Sequence, residues 1–448
     1  MLTPHRNRTL CSNHYLDNLL PQENEWKVEV DHVFKNVKKL WNSERSELPA
    51  INESQLRRHF LDKIFEILGF TSDVEPPVIG EGWAKRPDYA FFRNNDTFKS
   101  AKTLSPDKYF GNTLCIGEAK RWGRPLDRKL STESDPFEGQ NPSLQMSRYL
   151  WLTGVKWGIL TDGKFWRLYE RENSRQLDTY YEIDLEDLIL NGTLEDFKYF
   201  YLFFRADAFP DFLNKVYKGS VDYAEAVGEE LKENVYNALR FVSEGFLKTD
   251  TNNLSPENLK EIHDNSLILL YRLLFILYAK YRKLLPLGEN VLYTESYSLD
   301  ALKKEIAGKI DNNEATPAST FHYWNKLKEL FEIINHGNKE LYVPPYNGGL
   351  FDPEKHPFLE KYRLGDRYIA RAINLLSRSY DGTFIDYSTL KVRDLGSIYE
   401  GLLEYKLEIE ERDIYPVKEK GREIYIPLSD AQKQGKKIRE DEIIRRNG

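Results

Sequence analysis

The order of apolar patterns between residues 52 and 120 most constrains the fold of this chain of 448 residues. Apolar residues recur at spacings of three and four in NESQLRRHFLDKIFEILGF (52–70), which predicts a helix that Gly69 ends. Two short apolar runs with turn signals between them follow, PDYAFF (87–92) and NTLCIGEAK (112–120). Both predict strands.

A second helix and a hairpin complete this unit. SLQMSRYLWLTG (143–154) is helical by pattern, and VKWGILTDGKFWRLYER (155–171) follows it. In the latter, Asp162-Gly163 lies between two aromatic and branched runs, which is a strong hairpin signal. The order helix, strand, strand, helix, hairpin predicts one α/β domain that ends near residue 215.

The remaining chain divides by composition. Residues 1–48 are polar and predict an arm that precedes the first core, and 49–215 form the α/β domain. Helical periodicity dominates 216–410, which predicts an all-α domain, and 411–448 is a charged tail with one strand-like run, REIYIPL.

Charge and cysteine content limit the function. The chain has 64 Lys and Arg residues against 71 Asp and Glu residues, a net charge of −7, so a chain-wide positive field is excluded and any contact with nucleic acid must be local. Cys11 and Cys115 have no Cys or His neighbours at ligand spacing, which excludes a disulfide scaffold and a zinc ribbon. The small number of cysteines favours a protein of the reducing cytoplasm.

No membrane association is expected. The N-terminus has no apolar run of signal-peptide length. The most apolar stretch, Leu267 to Ala279, contains Arg272 and is shorter than the roughly 18 residues that span a bilayer. We therefore predict a buried helix there.

Three charged residues carry the chemistry. Side chains alternate along a strand, so Glu118 and Lys120 in CIGEAK share one face. Leu114 and Ile116 occupy the same face by this count, so the charges continue a buried stripe. Asp88, at the start of the neighbouring strand, can supply a second carboxylate.

Two close carboxylates repel each other, and a divalent cation such as Mg²⁺ relieves that repulsion while it polarises a phosphodiester. Lys120 would orient the attacking water and offset charge that builds on the phosphate. The spacing of Pro-Asp followed by Glu-x-Lys resembles the PD-(D/E)xK (restriction endonuclease-like) nuclease fold. The resemblance implies that Asp88 and Glu118 bind Mg²⁺, with Mn²⁺ as a possible substitute, and that Lys120 is catalytic.

Further residues extend the resemblance. In many members of this superfamily a helix glutamate completes the metal and catalytic site; Glu53 is the candidate here and Glu66 its rival. Gln145 and Tyr149 resemble the Gln-x-x-x-Tyr element of the RecB-like branch, which contacts the DNA backbone. The hairpin WGILTDGKFWRLYE resembles the one that closes the nuclease domain of type I and type IIG restriction enzymes.

Basic residues cluster near this site. Five positive charges against two negative ones leave +3 within residues 117–130, and Lys85 and Arg86 precede Asp88. Such clustering suits phosphate neutralisation. The predicted DNA contacts are Lys85, Arg86, Arg121 and Arg124, in addition to Gln145 and Tyr149.

Two segments in the helical half of the chain make the resemblance more specific. YNGGLFDPEKHPFLE (346–360) and IDYSTLKVRDLGSIYEGLLEYKLE (385–408) resemble the connector between nuclease and methyltransferase in type IIG (single-chain) restriction-modification enzymes. The string LGSIYEGLLE (395–404) is its most specific part. The resemblance covers residues 50–448 and implies a PD-(D/E)xK nuclease domain followed by an all-α connector domain.

The chain departs from that family in what it lacks. Type IIG enzymes carry an S-adenosylmethionine-dependent adenine methyltransferase and a target-recognition domain after the connector. This sequence has no Gly-rich cofactor loop after a strand, and in Val343-Pro344-Pro345-Tyr346 the valine cannot accept a hydrogen bond from an adenine amino group. We expect an amino-terminal fragment or one subunit of a split system, with S-adenosylmethionine used only by the missing part.

The resemblance implies a metal-dependent endodeoxyribonuclease that acts on double-stranded DNA in restriction-modification, a defence against foreign DNA. Two alternatives stay open. The fold could persist without cleavage, as a DNA-binding or scaffold subunit that partners a DNA methyltransferase. The site could also act on RNA or single strands, because such a metal site reads phosphates and not bases.

Overall fold

The structure, a computed structural model, divides into two compact units, Met1–Ala224 and Glu225–Gly448. The division lies inside one long helix, Asp211–Lys248. The residues that the structure describes are 4–74, 76–77, 86–129, 141–282, 284–346, 348–380, 382–387, 390, 392–403, 407, 413–419, 422–435 and 438.

Seven strands of the first unit form one mixed sheet. Their bounds are β1 Arg6–Arg8, β2 Thr71–Val74, β3 Tyr89–Phe92, β4 Cys115–Ala119, β5 Trp157–Thr161, β6 Phe165–Glu170 and β7 Tyr180–Asp184. The α-helices of this unit are α1 Asp31–Glu44, α2 Glu53–Leu56, α3 Asp62–Ile67, α4 Asn95–Ala101, α5 Pro106–Tyr109, α6 Pro142–Thr153, α7 Leu185–Asn191 and α8 Leu194–Phe204, followed by α9 Asp211–Lys248.

The strand order is β1-β7-β6-β5-β4-β3-β2. Strands β4 and β5 pair in parallel, whereas the other neighbours are antiparallel. Helix α6 connects the parallel pair, because two parallel strands need a crossover rather than a tight turn. The carboxyl ends of β4 and β5 therefore lie side by side, and Glu118 is in register with Leu160.

The predicted hairpin at Asp162-Gly163 is confirmed by the antiparallel pairing of β5 with β6. Gly163 has a φ of +86°, a backbone conformation that favours glycine. The Asp162 carboxylate closes the turn, because its Oδ1 accepts hydrogen bonds from the backbone N–H groups of Lys164 (3.1 Å) and Phe165 (2.6 Å).

Helices cover both faces of the sheet, so each face has its own apolar core. The periodic segment 53–67 runs through α2, a π-helical turn at Arg57–Leu61 and α3, and packs on the first face together with α1, α7 and α8. Helix α6 covers the second face with the segment around α4 and α5. The second core contains Ala90, Phe92, Ile116, Met146, Tyr149, Leu150 and Leu160.

Two details differ from the sequence expectation. Leu114, predicted to share the face of Ile116, packs against the first core because β4 begins only at Cys115. Residues 1–48, predicted as an arm before the core, join the first unit. Strand β1 pairs with β7 at the sheet edge, and buried side chains such as Leu16 and Trp41 contribute to the first core.

The described part of the second unit is mainly helical. Its helices are α10 Leu259–Tyr281, α11 Leu299–Asp311, α12 His322–His336, α13 Pro357–Lys361, α14 Asp366–Ser377, α15 Val392–Leu403 and α16 Leu428–Lys433. In the predicted tail, the strand-like run forms β9 Arg422–Pro427, which pairs with β8 Ile414–Glu419.

The apolar run at 267–279 is part of α10, which is longer than the run itself. By length and composition alone, the segment Pro256–Tyr281 could cross a membrane, with a mean hydropathy of 1.3. However, 61% of its most apolar window is buried inside the protein. Arg272 is buried as well, and its guanidinium donates to the Leu350 carbonyl, as in a core helix.

A substitution of Gly117 would test how closely strand β4 is packed. A Cβ at this position would lie 2.7 Å from the buried Phe91 ring and 3.2 Å from the Tyr89 Cβ. We expect Gly117→Ala to lower the free energy of unfolding of the first unit by about 1–3 kcal/mol through overpacking. Gly111→Ala, with no neighbour within 4 Å, is the matched control. Urea denaturation with equal midpoints for both variants would contradict this packing.

Asp162 predicts a pH dependence of stability. Burial raises the pKa of its carboxyl to about 7. The folded state therefore binds more protons than the unfolded state between about pH 4 and 7, so stability falls as the pH rises through that window. This difference in the pKa of Asp162 between the unfolded and the folded state corresponds to a change in the free energy of unfolding of roughly 4 kcal/mol at most. We expect Asp162→Asn to flatten this slope in denaturation curves recorded across that range; an unchanged slope would place its origin in other groups.

Candidate active site

Asp88, Glu118 and Lys120 converge at the carboxyl end of β4. Asp88 immediately precedes β3, and its Oδ2 accepts a hydrogen bond of 2.8 Å from the backbone N–H of Ala119. The backbone N–H of Asp88 in turn lies 3.3 Å from Glu118 Oε2. These two contacts hold both carboxylates at adjacent positions of the antiparallel pair β3 and β4, and the sequence analysis expected Asp88 on a strand next to that of Glu118.

Glu118 and Lys120 form a buried ion pair. The Lys120 ammonium donates to Glu118 Oε1 at 2.6 Å, and the two residues are 8% and 4% exposed, respectively. Burial, followed by repulsion from Asp88, raises the pKa of Glu118 above its ordinary value, and the Lys120 ammonium opposes that rise. Burial alone would lower the pKa of Lys120, but the surrounding carboxylates, Glu118 first, hold it above its ordinary value. Lys120 therefore carries its charge at neutral pH.

Arg57 is a site residue that the sequence reasoning missed. Its Nη1 donates to Asp88 Oδ1 at 2.7 Å, and its Nη2 lies 3.4 Å from the Asp88 carbonyl oxygen. The guanidinium also lies 5.0 Å from the centroid of the Tyr89 ring, whose hydroxyl donates to Asp62. The sequence pattern of this helix was read from its apolar residues, so periodicity alone could not identify Arg57.

Glu53, and not Glu66, is the helix carboxylate close to this cluster. In addition to the larger effects described above, the negative charge of Glu53 raises the pKa of Glu118 and of Lys120. It begins α2, where Asn52 caps the helix through the Gln55 N–H. Glu66 is exposed near the other end of the segment.

Gln145 and Tyr149 lie one turn apart on α6, and both are buried. The Gln145 side-chain amide donates to the Tyr149 hydroxyl at 3.0 Å. Burial raises the pKa of Tyr149, and the charge of Glu118 adds to the rise.

The basic residues that were predicted to contact DNA differ in their exposure to solvent. Arg86 and Arg121 are exposed on either side of the carboxylates in sequence, whereas Arg124 is only 5% exposed and does not offer its side chain to solvent. Lys85 lies outside the described residues. The exposed cations next to the site are therefore fewer than the sequence count implied.

The carboxylates fit Mg²⁺ in kind. Mg²⁺ takes oxygen ligands and is commonly held by one or two carboxylates together with water and substrate phosphates. Asp88 and Glu118 supply such oxygens, although each carboxylate also accepts hydrogen bonds from the protein. Among the described residues, no group of three or more His, Cys, Asp or Glu side chains is arranged to hold a metal ion. The fit is therefore to a two-carboxylate site.

Comparison of the chain with protein-family models, with curated proteins and with solved structures found no match. The candidate active site is therefore supported only by the geometry of its own residues.

The Arg57–Asp88 pair predicts a measurable coupling. Both side chains are largely shielded, with 13% and 16% exposed, so either single substitution leaves a poorly solvated charge. We expect Arg57→Leu to cost about 1–3 kcal/mol of stability, and Asp88→Asn in the same chain to recover about 1 kcal/mol.

The exposed pair Lys35–Asp31 is the control for this double-mutant cycle, since its side chains are 70% and 54% exposed. Its coupling should be about 0.3–0.5 kcal/mol. Equal couplings for both pairs, measured by urea denaturation, would show that Arg57 does not hold Asp88.

Proposed function

We propose that the chain is a metal-dependent endodeoxyribonuclease module that hydrolyses phosphodiesters of double-stranded DNA. The observation that carries the proposal is the convergence of Asp88, Glu118 and Lys120 at the end of one strand, with the lysine ammonium 2.6 Å from a buried carboxylate. A buried acid next to a buried cation is costly in a protein that needs only stability. Functional sites are where such strongly shifted groups are concentrated.

The topology supports the finer fold assignment, PD-(D/E)xK. Strands β2, β3 and β4 form an antiparallel meander, helix α6 crosses over, and β5 pairs in parallel with β4. The Asp, Glu and Lys residues of the motif lie where β3 begins and β4 ends.

The chemistry follows from the positions of the side chains. Mg²⁺, or Mn²⁺ in its place, held by Asp88 and Glu118 would polarise the phosphate and offset its charge. Glu53 lies close enough to support that site electrostatically. Lys120 keeps its proton, so it can hold a water molecule in line with phosphorus and stabilise charge that develops on the phosphate oxygens.

The wider role is part of the same proposal. The partner is double-stranded DNA, contacted near the site by the exposed Arg86 and Arg121, in a type IIG restriction-modification system of the cytoplasm. Gln145 and Tyr149, predicted as DNA contacts, are buried and bonded to each other, so they hold α6 in place and do not offer their side chains to a duplex. Recognition of a sequence and methylation would come from a target-recognition domain and an adenine methyltransferase that uses S-adenosylmethionine, in the same or a separate chain. The second unit would be the helical connector.

Cleavage of supercoiled plasmid tests the proposal. We expect nicking by the full chain with Mg²⁺ or Mn²⁺, none with chelator, and a loss of about 100-fold or more in Lys120→Ala because charge stabilisation in the transition state is removed. Asp88→Ala should lose activity as well. Lys198→Ala removes a lysine from another short ion pair, 2.7 Å from Glu195, and should cleave like the wild type.

Cleavage that persists in Asp88→Ala and Lys120→Ala would exclude this site. The rival function, a DNA-binding or scaffold subunit, predicts no cleavage and no specific divalent site. Calorimetric titration with Mn²⁺ distinguishes the two, because the nuclease proposal requires binding that Asp88→Ala abolishes.

A further inference from the structure

Helix α6 carries a cationic surface outside the candidate active site. Trp151 is 38% exposed, and the guanidinium groups of Arg175 and Arg171 lie 4.1 Å and 5.7 Å from its ring centroid. Arg148, one turn before Trp151, is exposed as well. We name these four residues, Arg148, Trp151, Arg171 and Arg175, the α6 cationic surface.

The charge of this surface is only partly compensated. Arg171 pairs with Glu172 at 3.1 Å and donates to the Gly154 carbonyl. Within the part of the chain that the structure describes, Arg148 and Arg175 have no ion-pair partner. Three arginines against one glutamate leave two positive charges at the surface of a protein whose net charge is −7.

The position of Arg175 over the Trp151 ring makes it suited to a phosphate. A guanidinium held over an aromatic ring still has N–H groups free to donate, and its planar fork matches phosphate oxygens in pairs. Trp151 also restricts the side chain before binding, which lowers the entropy lost on contact. An exposed arginine held in this way differs from a freely moving surface charge.

We infer that the α6 cationic surface binds backbone phosphates of a nucleic acid that occupies the candidate active site. The inference rests on the proposed function, because it assigns a second contact to the same DNA-binding unit. The α6 cationic surface and the candidate active site are linked by strand β5: the backbone N–H of Lys120 donates to Thr161 at its carboxyl end, and the backbone N–H of Arg171 donates to Lys156 just before it begins, about 17 Å away at roughly 3.3 Å per residue. Phosphate contacts of this kind fix position and carry no sequence information.

The test measures binding and not cleavage. The full chain is titrated into a short fluorescein-labelled DNA duplex in EDTA, and the salt dependence of affinity is recorded between about 50 and 200 mM. Arg175→Gln should weaken binding and reduce the slope of log affinity against log salt by about 1. Trp151→Leu keeps every charge, so it should weaken binding and leave the slope unchanged.

Arg45→Gln is the matched control, because Arg45 is also exposed and lies 5.1 Å from the centroid of Trp41, on α1. It removes the same charge without touching the α6 cationic surface, and its affinity and slope should equal those of the wild type. Circular dichroism confirms that each variant is folded.

The inference is overturned if Arg175→Gln and Arg45→Gln behave alike, if neither changes binding, or if the wild type does not bind the duplex. It is also overturned if polyglutamate competes with Arg175-dependent binding as well as unlabelled DNA does, because the surface would then fit an acidic protein. A chain that binds DNA through Arg175 but never cleaves it would contradict the proposed nuclease and leave this inference standing.

Discussion

Burial of the Glu118 carboxylate is the constraint on which the arrangement of the first unit depends. A carboxylate enclosed between a strand and a helix is unfavourable unless a cation accompanies it. Lys120 is that cation: it directly follows β4, two positions after Glu118, and its ammonium donates to the Glu118 carboxylate. Because β4 ends at Ala119, the pair lies at the end of the sheet and not in its apolar centre. Asp88 can approach this end of the sheet from β3.

The same constraint explains why cations surround the site. Arg57 compensates Asp88 in the way that Lys120 compensates Glu118, so each carboxylate has one basic partner. The carboxylates are also oriented by backbone donors, and such outer contacts fix the geometry of metal-ligating groups. In the proposed function, the divalent cation would add its charge to a cluster that the protein has already oriented.

Local patterns were sufficient to predict much of this structure. The period of the segment 53–67, the Asp162-Gly163 hairpin and the shared face of Glu118 and Lys120 all follow from residues close in sequence, and the structure contains each of them. The proximity of Asp88 to Glu118 was also predicted, since adjacent strands bring it about.

Long-range contacts were beyond sequence reasoning. Pairing of β1 with β7 joins positions more than 170 residues apart, and the three residues of β1 carry no alternation that identifies a strand. Arg57 gave no signal, because an arginine in a helical segment is ordinary until its partner is located. The burial of Arg124 was equally hidden, because a charge count does not distinguish exposed from enclosed side chains.

The proposed nuclease activity requires that Asp88 and Glu118 together hold a catalytic metal ion. Crystals of the full chain soaked in Mn²⁺ and measured at the manganese absorption edge would locate such an ion. We expect an anomalous peak at a coordination distance of roughly 2 Å from oxygens of both carboxylates. A peak elsewhere, or none at saturating Mn²⁺, would contradict the nuclease assignment and favour a scaffold in which Arg57 and Lys120 permanently neutralise these residues.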